Sequence, residues 1–156
     1  MKKHSCFYLI FISIFFVSVL SYAFNVNANA LLGKWKTADG DAIIEFYKCG
    51  NKYCGRIVWA KEPNKKDIHN PNPSLRNRPL LGATILTDFV FNGNNEWIDG
   101  RIYDPNNGKK YKCKLTMDSK DRLKVRGYIL CSIFGKTTIW KRVNSIPKKI
   151  RRERHE

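Results

Sequence analysis

Strict alternation of apolar and polar residues over two successive segments constrains the fold of this chain more than any other feature. Every second side chain is apolar in residues 110–117, KYKCKLTM, and the pattern returns in residues 122–129, RLKVRGYI. Residues 118–121 between them read as a turn. A repeat of two places one face of a β-strand in a core and the other in water. The two segments therefore predict neighbouring, half-buried strands.

Shorter stretches of β-branched and aromatic residues, separated by turn residues, predict further strands. They lie at 42–47, 53–60, 83–91, 96–103 and 136–143, after a short mixed segment at 31–37. About eight short strands without a convincing helix predict an all-β antiparallel sandwich or barrel. Eight up-and-down strands can close into a barrel that is filled by its own side chains or holds one small ligand.

The N-terminus predicts a secretory signal peptide. Lys2 and Lys3 precede an apolar run from Phe7 to Phe24, and small residues follow as far as Ala30. This order favours cleavage after Ala30 and a periplasmic or secreted protein, with an uncleaved membrane anchor as the alternative. The predicted divisions are a signal peptide at 1–30, a barrel domain at 31–143 and a basic tail at 144–156.

The chain is strongly basic. Removing Lys2 and Lys3 from the 29 basic residues leaves 27 against 13 acidic ones, a net charge of +14. Such a charge attracts anionic surfaces, and export favours a membrane surface over nucleic acid, so no nucleic-acid partner is expected. A solvated basic surface without a partner explains the same composition.

Four cysteines remain after cleavage, and an even number in an exported protein indicates disulfides. Pairing of Cys49 with Cys54 and of Cys113 with Cys131 is the simplest of three connectivities. The spacing of the first pair does not match a C-x-x-C redox motif. With two histidines beyond residue 30 and no second close cysteine pair, a zinc site is not expected.

The irregular stretch from Asp67 to Gly82 is the candidate functional loop. It contains three of the six prolines and too little Gly and Ser for a flexible linker. If the segment is extended, Arg76 and Arg78 share a face and could bind a carboxylate or phosphate, with Asp67 orienting one of them. The alternative is that Asp67 and one of these arginines close the loop on itself.

A second candidate group surrounds an Asp-Pro turn between two predicted strands. Tyrosine rings and polar groups there could line a pocket mouth, although an ordinary turn with packed tyrosines explains the same residues. The combined candidate ligand-binding set from both regions is Asp67, Asn70, Arg76, Arg78, Tyr103, Asp104 and Tyr111.

The sequence gives little support for catalysis. Asp67, His69 and Ser74 could suggest a hydrolase triad, but nothing resembles a nucleophile elbow, and triads are recognised by geometry. We therefore expect no catalytic residues, no cofactor and no bound metal.

Residues near the two ends resemble the lipocalin-like, or calycin, arrangement: Gly33-Lys34-Trp35 and Trp140-Lys141-Arg142. In that superfamily an early tryptophan packs in the closed end of the barrel against a late arginine. The resemblance implies that Trp35 and Arg142 are structural partners, and a guanidinium over an indole gains roughly 1 kcal/mol when partly desolvated.

Seven spaced blocks, in order, resemble the exported bacterial family DUF2147 over nearly the whole chain after residue 30. The resemblance implies the barrel fold, carries over no catalytic residues and leaves the tail after Val143 as an addition. The blocks are Gly33-x-Trp35, Cys54 to Val58, Asp67-x-x-Asn70-Pro71-x-Pro73, Leu75-Arg76-x-Arg78-Pro79-Leu80-x-Gly82, Gly100-x-Ile102-Tyr103-Asp104-Pro105-x-x-Gly108-x-x-Tyr111, Val125 to Tyr128 and Trp140-x-Arg142.

Two non-enzymatic functions are consistent with these observations, beside a third, less supported one: an enzyme that uses the Asp67–Gly82 loop. The first is a non-enzymatic binding module for a small amphipathic or acidic ligand, with the candidate loop near the barrel mouth. The second is a structural or interaction protein of the cell envelope, with a filled barrel and a basic surface on anionic lipid or a partner protein. The size of the side chains inside the barrel distinguishes them.

Overall fold

Eight β-strands follow one another in the computed structural model, which describes residues 26–131 and 133–147. Each pairs antiparallel with the next, and β1 pairs with β8, so the sheet closes into an up-and-down barrel. The predicted fold class is therefore confirmed. The strands are β1 (Gly33–Lys36), β2 (Ala42–Cys49), β3 (Lys52–Ala60), β4 (Thr84–Phe91), β5 (Glu96–Asp104), β6 (Lys109–Ser119), β7 (Arg122–Tyr128) and β8 (Gly135–Val143).

The two alternating segments form the hairpin of β6 and β7. Cys113 lies opposite Gly127 and Leu115 opposite Val125. Cys113, Leu115 and Val125 are buried, and the lysines between them are more exposed. The repeat of two therefore assigns one face of each strand to the barrel interior.

Large aromatic side chains fill the interior toward one end of the barrel. Phe46 packs edge-on against Phe89, and Trp35 and Trp97 are fully buried. Gly100 on β5 makes room for this core, because a Cβ there would overlap the Phe89 ring. This half of the barrel has the filled interior that the second sequence hypothesis required.

A short segment before β1 closes the same end. Residues Ala28–Leu31 form a 3₁₀ turn whose carbonyls accept hydrogen bonds from the core: Trp35 Nε1 donates to Leu31 at 2.9 Å and Trp97 Nε1 to Ala28 at 3.3 Å. The Arg142 guanidinium lies over the Trp35 ring, 4.2 Å from its centroid, and donates to the carbonyls of Ala30 and Leu32. We call residues 26–32 the N-terminal seal.

The cysteines follow the prediction only in part. Cys49 and Cys54 form a disulfide across the β2–β3 turn. Cys113 and Cys131 are both free, which corrects the predicted second pair. Cys113 points into the barrel, where burial raises the pKa of its thiol to about 12, whereas Cys131 is exposed in the β7–β8 connection. Cys113 lies inside the barrel and Cys131 outside it, so their sulfur atoms do not meet.

Most of the predicted signal peptide and most of the predicted basic tail lie outside the residues that the structure describes. Residues 1–25 of the predicted signal peptide and residues 148–156 of the basic tail lie outside the described residues. Within the described ranges, no helix has the length and apolar character needed to cross a membrane.

Candidate functional site

The loop between β3 and β4 is organised around the buried carboxylate of Asp67. This side chain is fully buried and accepts hydrogen bonds from Tyr103 Oη at 2.5 Å, Asn70 Nδ2 at 2.7 Å and Arg78 Nε at 3.0 Å. Arg78 also forms an ion pair with it at 2.8 Å. A buried charge is tolerated only when it is paired and hydrogen-bonded, and Asp67 meets both conditions.

These contacts set the protonation of the cluster. Burial alone would raise the pKa of Asp67, but the hydrogen bonds from Tyr103, Asn70 and Arg78 outweigh burial and hold the pKa below its usual value. Burial, together with the neighbouring carboxylate, raises the pKa of Tyr103 to about 12. Asp67 is therefore ionised and Tyr103 protonated at neutral pH.

The remainder of the loop is stiffened by its own polar groups. Asn70 Oδ1 accepts from the backbone N–H of Asn72, and Asn72 caps a 3₁₀ turn over Pro73–Leu75. Arg76 Nε donates to the Asn70 carbonyl at 2.9 Å. The two predicted arginines thus separate: Arg78 closes the loop on Asp67, as the alternative interpretation expected, and Arg76 holds the backbone.

The β5–β6 turn packs directly against this loop. Gly108 has a positive φ of 71°, and a Cβ on it would overlap the carbonyl of His69. Asp104 accepts hydrogen bonds from Asn106 and Asn107, and Asn107 also donates to Tyr111 Oη at 2.9 Å. The predicted turn residues therefore form a second polar cluster that touches the first through backbone contact.

A cleft of about 370 Å³ lies between the loop and the adjacent strands. Its charged lining is basic throughout, from Arg78, Arg101 and Lys110, and no acidic residue lines it. Polar and apolar groups complete the walls: Asn70, Pro71, Asn72, Leu75, Thr84, Ile85, Thr87 and Tyr103. We call this space the cationic cleft.

A second space, of about 350 Å³, opens at the end of the barrel opposite the N-terminal seal. Ile102, Val125 and Trp140 give it an apolar wall, and Tyr103, Asp104 and Tyr111 also line it. We call it the mouth cavity. Ile85 and Tyr103 line both spaces, so the cationic cleft adjoins the mouth cavity.

The structure thus divides the predicted site residues between two neighbouring spaces. Asn70, Arg78 and Tyr103 line the cationic cleft, Asp104 and Tyr111 line the mouth cavity, and Asp67 lies buried behind the cleft. Arg76 lines neither of these two spaces.

Sequence reasoning missed Arg101 and Lys110. Each is an exposed basic residue on a strand, in a chain with many such residues. Their positions flanking the Asp104-Pro105 turn were a usable signal, since a hairpin brings the strand residues on either side of its turn close together.

The candidate triad is not assembled. Asp67 is engaged by Tyr103, Asn70 and Arg78, and Ser74 Oγ donates to Asn72 rather than to His69. Over residues 26–131 and 133–147, no group of three or more His, Cys, Asp or Glu side chains is arranged to hold a metal ion.

Comparison with known proteins gives a family and a structural relative. A family model described as an uncharacterized protein conserved in bacteria, DUF2147, matches residues 33–142. A solved structure of protein HP1028 from the human pathogen Helicobacter pylori, described as belonging to the lipocalin family, superposes with a TM-score of 0.68. It is 28% identical, and the match covers 73% of this chain and 83% of that chain. No curated protein matches the chain.

Proposed function

The chain belongs to the DUF2147 family, and on that premise we propose that it is a binding module for a small amphipathic ligand with an acidic group. The acidic group occupies the cationic cleft, and the apolar part enters the mouth cavity. The observation that carries this proposal is the direct adjacency of a cleft whose charged residues are all basic and a cavity with an apolar wall, joined at Ile85 and Tyr103.

The charges of the cleft favour an anion. Arg78 is neutralised by Asp67, but Arg101 and Lys110 form no ion pair within 4.0 Å in the described part of the chain. Guanidinium and ammonium groups bind carboxylates and phosphates through charge-assisted hydrogen bonds, and Arg can do so with two parallel bonds. An acidic ligand would supply a counter-charge for Lys110 and would add to the attraction that Arg101 already has for Asp88.

The mouth cavity favours a ligand with a short apolar portion. Small-molecule sites are concave, mostly apolar and supplied with a few polar groups that fix orientation. Ile102, Val125 and Trp140 supply the apolar wall, and the aromatic core below it prevents deep entry. The barrel is therefore suited to a modest tail rather than to a long chain threaded through it.

We further propose that the protein acts after export. Support comes from the basic and apolar N-terminus of the sequence and from the Cys49–Cys54 disulfide, since disulfides persist in oxidising compartments.

The first test is native mass spectrometry of protein purified from the envelope fraction, repeated after denaturation. We expect an additional mass that is lost on denaturation. The affinity of the purified protein for hexyl phosphate, which has a short apolar tail, is then measured by calorimetry, with the variant Arg101→Ala/Lys110→Ala expected to bind about tenfold more weakly, a loss of roughly 1.4 kcal/mol.

The matched control is Lys48→Ala/Lys120→Ala, which removes the same net charge from exposed positions toward the sealed end of the barrel. Its affinity should stay within about twofold of the unmodified protein, because these side chains line neither space. Equal losses in both variants would mean that net charge alone attracts the probe, and the cleft would lose its assigned role.

A further inference from the structure

Four large apolar side chains project into solvent from the connection between β7 and β8. The exposed fractions are 60% for Ile129, 84% for Leu130, 79% for Ile133 and 72% for Phe134. Single exposed apolar residues are ordinary, but a cluster of this size marks an interaction site. We call these four residues the apolar tip.

The tip is held on an ordered base. Arg126 donates to the carbonyl of Ile133 and to Thr137 Oγ1, and a Cβ on Gly135 would overlap the carbonyl of Gly127. Leu130 has a positive φ of 63°, which is uncommon for a residue with a branched side chain. These contacts position both ends of the connection, and the four apolar side chains described there point into solvent.

Exposed apolar residues concentrate at this end of the barrel. In an up-and-down barrel the β3–β4 and β7–β8 connections lie at the same end, which here is the open one. The β3–β4 connection exposes Ile68, Leu75 and Leu81. Of the nine large apolar residues exposed in the described ranges, seven belong to these two connections. The exposed apolar surface therefore belongs to the open end of the barrel as a whole.

The surroundings of the mouth are positively charged. The segments at this end, residues 37–41, 61–83, 104–110 and 129–136, contain eight Lys and Arg residues and five Asp and Glu residues. Apolar side chains among mixed charges with a net excess of three positive ones match the interfacial region of a bilayer that contains anionic lipid.

We propose that the apolar tip inserts into an anionic bilayer and seats the barrel mouth on the membrane surface. A lipid surface explains the tip better than a protein partner does, because specific protein interfaces bury about 800 Å² on each side with some 20 to 30 residues. Four side chains on one protruding connection are too few for such an interface but sufficient for shallow insertion. The evidence for membrane docking is the apolar tip, and this proposal does not depend on the ligand proposed above.

The test is flotation of the protein with vesicles of equal parts phosphatidylglycerol and phosphatidylcholine. The protein should float with the vesicles, and Ile133→Ser/Phe134→Ser should lower the partition coefficient at least about tenfold, because both side chains are mostly exposed and would be buried in lipid. Val90→Ser, an exposed apolar position outside the mouth connections, is the matched control and should change it less than about twofold.

A gain-of-signal variant gives an independent reading. Tryptophan fluorescence of Phe134→Trp should be quenched by vesicles of the same composition with brominated acyl chains more strongly than that of the unmodified protein. Absence of this extra quenching overturns the proposal even if the serine variant folds poorly.

Two further outcomes would also overturn it. Failure of the unmodified protein to float excludes lipid docking. Flotation that is abolished by high salt and unaffected by the tip variant assigns binding to the basic surface alone. Calorimetry with hexyl phosphate separates the two proposals, since the tip variant should lose vesicle binding and keep its affinity for this short-tailed probe.

Discussion

At the scale of single residues, Asp67 shows how a fold can use one buried charge to fix a long loop. Its carboxylate joins Asn70 and Arg78 of the loop to Tyr103 of β5. The sequence identified the loop residues as candidates through their irregular, proline-rich setting, and Tyr103 through the Asp-Pro turn beside it. Proximity in the sequence could not show that Tyr103 would complete the cluster, because its hydroxyl comes from a strand 36 positions away.

We predict that Asp67→Asn destabilises the barrel by about 2 kcal/mol, since the new amide places donors where Arg78 and Asn70 already donate. The melting temperature should fall by roughly 10 °C. The control is Asp118→Asn, which removes an exposed carboxylate paired with Lys124 and should cost less than about 0.5 kcal/mol. Equal melting temperatures for the two variants would contradict this account of Asp67.

The same cluster predicts a pH dependence of stability at both extremes. The pKa of Asp67 is lowered on folding, so its contribution is present above its ordinary pKa of about 4 and is lost as the pH falls through the lower folded value. The pKa of Tyr103 is raised from 10.0 to about 12, so its contribution is complete below pH 10 and is lost between about 10 and 12.

Urea unfolding across the acid and alkaline ranges checks this prediction. Other carboxylates also titrate, so the informative quantity is the difference in free energy of unfolding between each variant and the unmodified protein. That difference should shrink in acid for Asp67→Asn and in alkali for Tyr103→Phe. A constant difference over either range would contradict the corresponding assignment.

At the scale of elements, each strand forms where the alternation or the β-branched and aromatic stretches predict it, but the packing of the interior depends on pairs of strands. Gly100 reads in the sequence as a bulge or a point of close approach on β5. In the structure, the ring of Phe89 from β4 fills the space that a side chain at position 100 would need. A glycine that appears to weaken one strand thus allows its neighbour to bury an aromatic ring.

We predict that Gly100→Ala destabilises the barrel by about 1–3 kcal/mol through overpacking. Gly127→Ala is the matched control, since a Cβ there would lie 3.6 Å from Ile102, an ordinary contact. In a double-mutant cycle, Phe89→Leu should recover part of the loss, and the coupling should exceed about 0.5 kcal/mol. Additive losses would show that the ring is not the cause.

At the scale of the whole molecule, the two ends of the barrel differ. The N-terminal seal, Arg142 and the aromatic core close one end, whereas the cationic cleft, the mouth cavity and the apolar tip lie at the other. Neither an empty barrel nor a completely filled one describes the molecule. The filled half supplies stability, and the open half supplies the candidate site.

The seal bears on where a signal peptide would be removed. Cleavage after Ala30 would delete the carbonyls that accept from Trp97 and Arg142 and would remove the buried Val26. We therefore predict that the mature chain begins upstream of Val26. Cleavage after Ala23 fits, because Ser21 and Ala23 are small residues at suitable spacing.

Intact mass of the exported protein checks this prediction. As a matched comparison, a chain that starts at Leu31 should melt at a lower temperature than one that starts at Phe24, because Arg142 loses its Ala30 acceptor and Trp97 loses its Ala28 acceptor. An exported protein that begins at Leu31 would contradict the prediction and support cleavage after Ala30.

The sequence by itself determined the strands, their antiparallel order and the family, because a repeat of two and short turn motifs are local properties of the chain. It also determined the Cys49–Cys54 disulfide, which closes a short turn. Barrel closure decided the rest: which residues share a cavity, that Arg101 and Lys110 join Arg78, that Cys113 and Cys131 stay apart, and that residues 26–32 seal one end. Each of these depends on distances between segments far apart in sequence, and no local pattern encodes those distances.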